Sequence, residues 1–135
     1  MEPLKEVMGR TCGNVAPFRL QAGGLGVFPD KRRPRVIWAG VREESGKLAT
    51  LQRNIQTATA HFGEKPDDRP FSAHLTLGRI KELRSREATT LREFIERENR
   101  ELEGWPVRQI ELFRSELGSA GARHSVVASF SLTSR

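Results

Sequence analysis

Cysteine is almost missing from this 135-residue chain: Cys12 stands alone, which excludes an internal disulfide and any zinc cluster built on several thiolates. Long apolar runs are missing as well. None approaches the ~20 residues needed to cross a bilayer, and the opening Met1-Glu2-Pro3-Leu4-Lys5-Glu6 lacks the apolar core of a signal peptide. The expectation is a cytoplasmic protein without a membrane partner. Internal repeats, low-complexity tracts and linker-like stretches are also lacking, so residues 1–135 read as a single domain.

What is present is an ordinary globular composition. Hydrophobic residues make up 36% of the chain and charged residues 30%, which places it among folded rather than disordered sequences. The formal net charge is +6, carried mostly by arginine. The guanidinium fork matches phosphate oxygens, so the surplus suits an anionic partner such as RNA. A codon bias that scatters solvated arginines over the surface accounts for it equally well.

Apolar periodicity sets out the elements. Leu4, Val7, Met8 and Cys12 mark a short amphipathic helix over 2–12, ended by Gly13-Asn14. Phe18 to Gln21 reads as a strand running into a Gly23-Gly24-Leu25-Gly26 turn, and a basic loop follows from Asp30 to Arg33. Arg35 to Val41 has the β-branched and aromatic content of a buried strand. Leu48, Leu51, Ile55, Ala58 and Phe62 recur on one helical face, with Ser45 as N-cap and Gly63 as the stop. A polar loop over 64–70 leads to a strand from Phe71 to Leu77, and a second helix is predicted from Ser85 to Leu102, with Ala88, Leu91, Ile95 and Leu102 inward. Strands over Val107–Phe113 and Ser125–Leu132 complete the chain. Helices and strands mixed without regular βαβ spacing predict an α+β fold with largely antiparallel sheet.

One segment carries chemistry: Phe71-Ser72-Ala73-His74-Leu75-Thr76-Leu77-Gly78-Arg79. Side chains two apart on a strand share a face, so His74 and Thr76 project together while Leu75 and Leu77 turn into the core. An imidazole can give or take a proton near neutrality, and a neighbouring hydroxyl can donate to a phosphoryl oxygen. Arg79 can neutralise charge building on that phosphate. Strict alternation, however, puts Arg79 on the face opposite His74. Either Gly78 interrupts the pleat or the long side chain reaches round the strand end. Taken alone, the tripeptide reads equally as an ordinary histidine and threonine on an amphipathic strand.

The surrounding strings lift it above that. Leu20-x-x-Gly23-Gly24-Leu25-Gly26-Val27-Phe28-Pro29, Arg33-Pro34-Arg35-Val36-Ile37-Trp38-Ala39-Gly40-Val41, Arg69-Pro70-Phe71-x-x-His74-Leu75-Thr76-Leu77-x-Arg79 and Leu112-Phe113-Arg114-Ser115-Glu116-Leu117 occur in this order. The succession resembles the RNA 2′,3′-cyclic phosphodiesterases, also called 2′-5′ RNA ligases (LigT-like), of the two-histidine phosphoesterase superfamily. It covers nearly the whole chain.

The resemblance implies two lobes of antiparallel sheet flanked by helices, each lobe giving one His-x-Thr strand to a shared site. It implies that one histidine activates water against a terminal 2′,3′-cyclic phosphate of RNA while the other protonates the departing 3′ oxygen, leaving a 2′-phosphate without metal or cofactor. In reverse, the same groups join RNA ends through a 2′-5′ bond. His74 and Thr76 match the second motif as catalytic residues, and Arg79 matches a basic residue just after it. Phe28 falls where an aromatic can stack on the terminal base, although a core position is the other reading. Arg114 and Ser115 match a string near the cleft. The first motif has no counterpart: His61 sits at a helix end, and His124-Ser125-Val126 lacks the hydroxyl two residues on. The expectation is a LigT-like domain lacking its N-terminal strands, with an unpaired sheet edge through which a homodimer can form. Three functions compete on these grounds: a cyclic phosphodiesterase of RNA ends, a non-catalytic RNA-end-binding module, and an enzyme remnant.

Overall fold

The computed structural model describes residues 1–63, 69–98 and 100–133. Most of the polar loop predicted over 64–70 lies outside them. The elements run α1 (Glu2–Gly13), β1 (Phe18–Phe28), β2 (Val36–Arg42), α2 (Lys47–Thr59), β3 (His74–Arg79), α3 (Ser85–Arg97), β4 (Glu101–Val107), β5 (Gln109–Gly118) and β6 (Gly121–Ser131). The fold is α+β, as expected. The chain divides into two compact units: Met1–Arg19 with Glu44–Phe71 and Pro106–Arg135, and Leu20–Glu43 with Ser72–Trp105.

In the first unit, β5 and β6 form an antiparallel hairpin closed by Ser119-Ala120 between Gly118 and Gly121. Gly121 has φ +112, a conformation that glycine adopts freely. Helix α1 packs on α2 and on β6. Its Gly9 lies beside the Phe130 ring. Met8, Cys12, Val15, Phe18, Leu51 and Leu132 are the buried apolar side chains of this unit. Gly46, with φ +82, occupies the N-cap of α2, and Ser45 Oγ accepts the Lys47 N–H at 3.4 Å from one residue further out. Phe62 lies beyond the helix end and is 39% exposed, so the inward stripe of α2 stops short of it.

The second unit is built on a four-stranded sheet of order β3-β2-β1-β4, with β1–β2 and β2–β3 antiparallel. The glycine-rich string predicted as a turn lies inside β1. Gly24, at φ +72, is the one residue of β1 skipped in the pairing with β2, so the glycine's freedom is spent on a bulge rather than a reversal. Gly26 is bare for a second reason: the Trp38 indole lies in the space a Cβ would fill.

The second helix ends at Arg97, and Leu102 belongs to β4 and is 50% exposed. Pairing with the sheet overrides the helical period there, and Pro106 is tolerated because β4 is an edge strand. The strand predicted over Val107–Phe113 is cut at Arg108, where the chain leaves one sheet for the other. Arg35–Val41 forms β2 as expected, but it is half-buried; only Ala39 in it is fully enclosed.

Candidate functional site

Strand β3 begins at His74, three residues later than the alternation implied, and ends at Arg79. Leu75 and Leu77 were expected in the core, yet they are 44% and 60% exposed. The reason is position: β3 is an edge of the sheet, and among the described residues it pairs only with β2.

Cross-strand register decides which side chains share a face. His74 stands opposite Gly40, Thr76 opposite Trp38 and Arg79 opposite Val36. Val36, Trp38 and Gly40 alternate along β2 and lie on one face, and antiparallel partners project to the same side. Leu77 has no partner on β2, because Trp38 pairs with Thr76 and Ile37 with Gly78. This extra residue shifts the pleat by one and brings Arg79 onto the face of His74 and Thr76. The open question about Arg79 is thereby answered: Leu77, not Gly78 itself, is the inserted residue.

The same parity extends across β1, where Phe28 opposes Val36 and Gly26 opposes Trp38. Phe28 and Trp38 rings lie 5.2 Å apart, and the Phe28 ring meets the His74 imidazole edge-on at 5.1 Å. Trp38 lies 6.2 Å from that imidazole. The sequence placed Trp38 in a buried strand without linking it to the histidine. Its indole Nε1 is buried with no hydrogen-bond partner among the described residues. Signals for this role were present in the chain, since Gly26 supplies the space that Trp38 fills.

His74 is exposed, and its ring is oriented locally: Nδ1–H donates to the Ser72 carbonyl oxygen at 2.7 Å. A carbonyl only accepts, so the neutral imidazole carries its proton on Nδ1 and presents the Nε2 lone pair outward. The Thr76 hydroxyl and the Arg79 guanidinium are exposed and have no hydrogen-bond or ion-pair partner among the described residues. Gly40, the strand partner of His74, lines a pocket of about 310 Å³ with Gly23, Gly24 and the Arg42–Glu101 ion pair. A Cβ on Gly40 would stand 2.7 Å from the Gly23 carbonyl oxygen, so position 40 admits only glycine.

Arg114 and Ser115 belong to the other unit. They are neighbours on β5, opposite Ser125 and His124, and so project to opposite faces of the hairpin. Ser115 Oγ lies 2.8 Å from His124 Nδ1. The hydroxyl beside His124 therefore comes from across the hairpin, a pairing that spacing along one strand does not reveal. His61 follows the end of α2, its ring tilted at 39° against Phe62 with centroids 4.2 Å apart. No group of three or more metal-ligating side chains occurs among the described residues, and no helix in them is long and apolar enough to cross a membrane.

An α+β chain of two units with a histidine and a threonine side by side on a sheet face, followed by an arginine, defines the class of LigT-like two-histidine phosphoesterases. Residues 2–119 match the model of the 2′-5′ RNA ligase superfamily, and the chain belongs to that family. It is 40% identical to an RNA 2′,3′-cyclic phosphodiesterase of Aquifex aeolicus, over 98% of this chain and 69% of that protein. It is 35% identical to the protein of the same name from Methanothermobacter thermautotrophicus, over 96% of this chain and 68% of the relative. Among solved structures, the protein TT0787 of Thermus thermophilus superimposes with a TM-score of 0.73 at 28% identity, over 98% of this chain and 69% of that one. LigT of E. coli complexed with 3′-AMP shares the fold, with a TM-score of 0.68 at 20% identity, 99% of this chain and 71% of that one being covered.

Proposed function

We propose that the chain carries the His-Thr-Arg half of an RNA 2′,3′-cyclic phosphodiesterase. Water attacks the phosphorus of a terminal 2′,3′-cyclic phosphate, the bond from phosphorus to O3′ breaks, O3′ takes a proton, and a 2′-phosphate remains. His74 Nε2 is the proton-transfer atom. As neutral imidazole it takes the proton of the attacking water, or as imidazolium it gives one to O3′, and a complementary group does the other. Thr76 donates its hydroxyl hydrogen to a non-bridging oxygen, and Arg79 offsets the charge that gathers on the phosphorane. When the 5′-hydroxyl of a second RNA replaces water, the same steps form a 2′-5′ phosphodiester.

The observation that carries this reading is the common face of His74, Thr76 and Arg79, with the imidazole fixed by Ser72. The naming of relatives up to 40% identical supports the substrate. Phe28 holds His74 edge-on and leaves its remaining surface for the terminal base. Arg114 and Ser115 of β5 lie on opposite faces of the hairpin, so at most one of them meets the RNA chain. Among the described residues, none that shares the His74 face is a complementary proton-transfer group. A second copy paired along the β3 edge is one source for it.

The test is an RNA ending in a 2′,3′-cyclic phosphate, incubated with the chain in the presence of a chelator. Opening to the 2′-phosphate is expected, with a loss of about 10²–10⁴-fold in His74→Ala. Equal rates in wild type and variant would remove the proposal.

A further inference from the structure

Beyond the end of β3 lies a second feature that the hydrolytic site does not use. A pocket of about 530 Å³ is lined by five cations: Arg32, Arg33, Arg35, Lys81 and Arg84. Glu82 and Glu87 also line it. Neither carboxylate forms an ion pair with these cations among the described residues, so the positive charge stands open to a ligand. The Arg35 guanidinium donates to the Lys81 carbonyl oxygen at 3.4 Å, which ties the two walls together.

Local structure builds this wall. Asp30 Oδ1 accepts the backbone N–H groups of Arg32 at 2.7 Å and Arg33 at 3.0 Å, a tight bend that points both side chains outward. Those amide bonds hold the Asp30 carboxyl below its usual range, and the nearby guanidinium charges add to the effect. The N-cap residue of α3, Arg84, also lines the pocket with Glu87 and Ala88 of the first turns, and no side chain caps this helix end. Its partial positive charge adds to that of the arginines.

The pocket begins where β3 ends. Ile80 lines it, immediately follows Arg79, and donates its N–H to the Arg35 carbonyl oxygen at 2.8 Å. From His74 to Arg79 the strand runs roughly 17 Å at ~3.3 Å per residue, longer than one nucleotide.

We infer that this pocket is a subsite for a backbone phosphate of the RNA upstream of its terminal nucleotide. This rests on the phosphodiesterase reading above, and makes the protein a reader of oligonucleotides rather than of cyclic mononucleotides. Guanidinium forks bind phosphate through paired donors, and each phosphate so neutralised releases counterions.

The test uses the full chain and its Arg33→Ala/Arg84→Ala variant, both side chains being exposed. A fluorescein-labelled hexauridylate ending in a 2′-phosphate is titrated by anisotropy at several salt concentrations. Turnover of uridine 2′,3′-cyclic phosphate is measured alongside. The variant is expected to bind the hexamer about tenfold or more weakly, and its plot of log affinity against log salt to flatten by about 0.7 for each phosphate no longer neutralised. Mononucleotide turnover is expected to stay unchanged. Hexamer affinity and salt slope equal to wild type would overturn the subsite, as would a parallel fall in mononucleotide turnover. So would displacement of the hexamer by inorganic phosphate at matched phosphate concentration, which assigns the pocket to a free anion. Wild-type chain that turns over no cyclic phosphate overturns the catalytic reading alone, because hexamer affinity still decides the subsite.

Discussion

Arg79 shares a face of β3 with His74 although the two are five residues apart, an odd spacing that an unbroken strand places back to back. The inserted residue Leu77 makes the odd spacing behave as an even one. Bulges re-aim side chains at the cost of one unpaired residue, and here that residue is an apolar one at 60% exposure. The bulge thus belongs to the site as much as the histidine does.

Exchanging the positions of Gly78 and Arg79 tests this parity. The double variant Gly78→Arg/Arg79→Gly keeps composition and charge but places the guanidinium opposite Ile37, on the face away from His74. Cyclic phosphate opening is expected to fall as far as in Arg79→Ala, about 10²-fold or more if the arginine meets transition-state charge. Circular dichroism checks that the fold is kept. Activity near wild type in the exchanged variant would mean that the arginine reaches the phosphate round the strand end and that the bulge is incidental.

The pairing of His74 with Thr76 was legible because period-two alternation is a local property of a strand. The placement of Arg79, Trp38 and Gly26 was not, because register bulges depend on which partner residues are skipped, and no local propensity encodes that. The α3 stripe of Ala88, Leu91 and Ile95 was read correctly as far as Ile95, which is buried. Leu102 failed because the β4 segment gains a sheet partner, Gly24 N–H donating to Arg100 O at 3.2 Å, that the helical pattern takes no account of. The glycine-rich string was recognised as special, but glycines serve turns, bulges and close approach alike. Only the fold showed that Gly24 takes the bulge and Gly26 the indole. Ser115 and His124 meet across a hairpin, so no spacing along either strand shows the pair.

Gly26→Val tests the close approach. A side chain there meets the six-membered ring of Trp38, so the indole must leave its place beside Phe28. Overpacking of this kind costs about 1–3 kcal/mol. The expected result is a lower denaturation midpoint with a changed tryptophan emission spectrum. Because Phe28 in turn touches His74, turnover should drop more than stability alone explains. A variant of unchanged midpoint and emission would show that the sheet face accommodates the side chain by other means.

Cys12 gives a prediction on pH. It is fully buried between α1 and its neighbours, and burial pushes its thiol above the usual range. The folded state therefore holds the thiol proton more tightly than the unfolded state. This contribution to stability is fully present below the unfolded thiol's pKa of about 8.5, and is lost as pH rises through the folded value. Unfolding free energy should fall between pH 8 and 10 more steeply in wild type than in Cys12→Ala, comparing slopes rather than absolute values. Ellman's reagent should react with the native chain only at the rate of opening. Rapid labelling at pH 8 in the absence of denaturant would contradict the burial.

The outer edge of β3 gives the last prediction. Among the described residues β3 pairs only with β2, so its other side presents free backbone donors and acceptors beside two half-exposed leucines. Such an edge is a template for another strand. The chain is expected to associate with rising concentration, pairing two β3 edges about a two-fold axis so that each copy brings its own His74 to the contact. Light scattering should show a mass that climbs from monomer toward dimer. Leu77→Lys, a charge on the edge itself, should shift that transition to higher concentration by about tenfold or more while leaving the monomer folded. If the dimer completes the site, turnover per chain should rise with concentration in wild type and stay flat and low in Leu77→Lys. A monomeric mass at all concentrations would exclude the edge as an interface between copies.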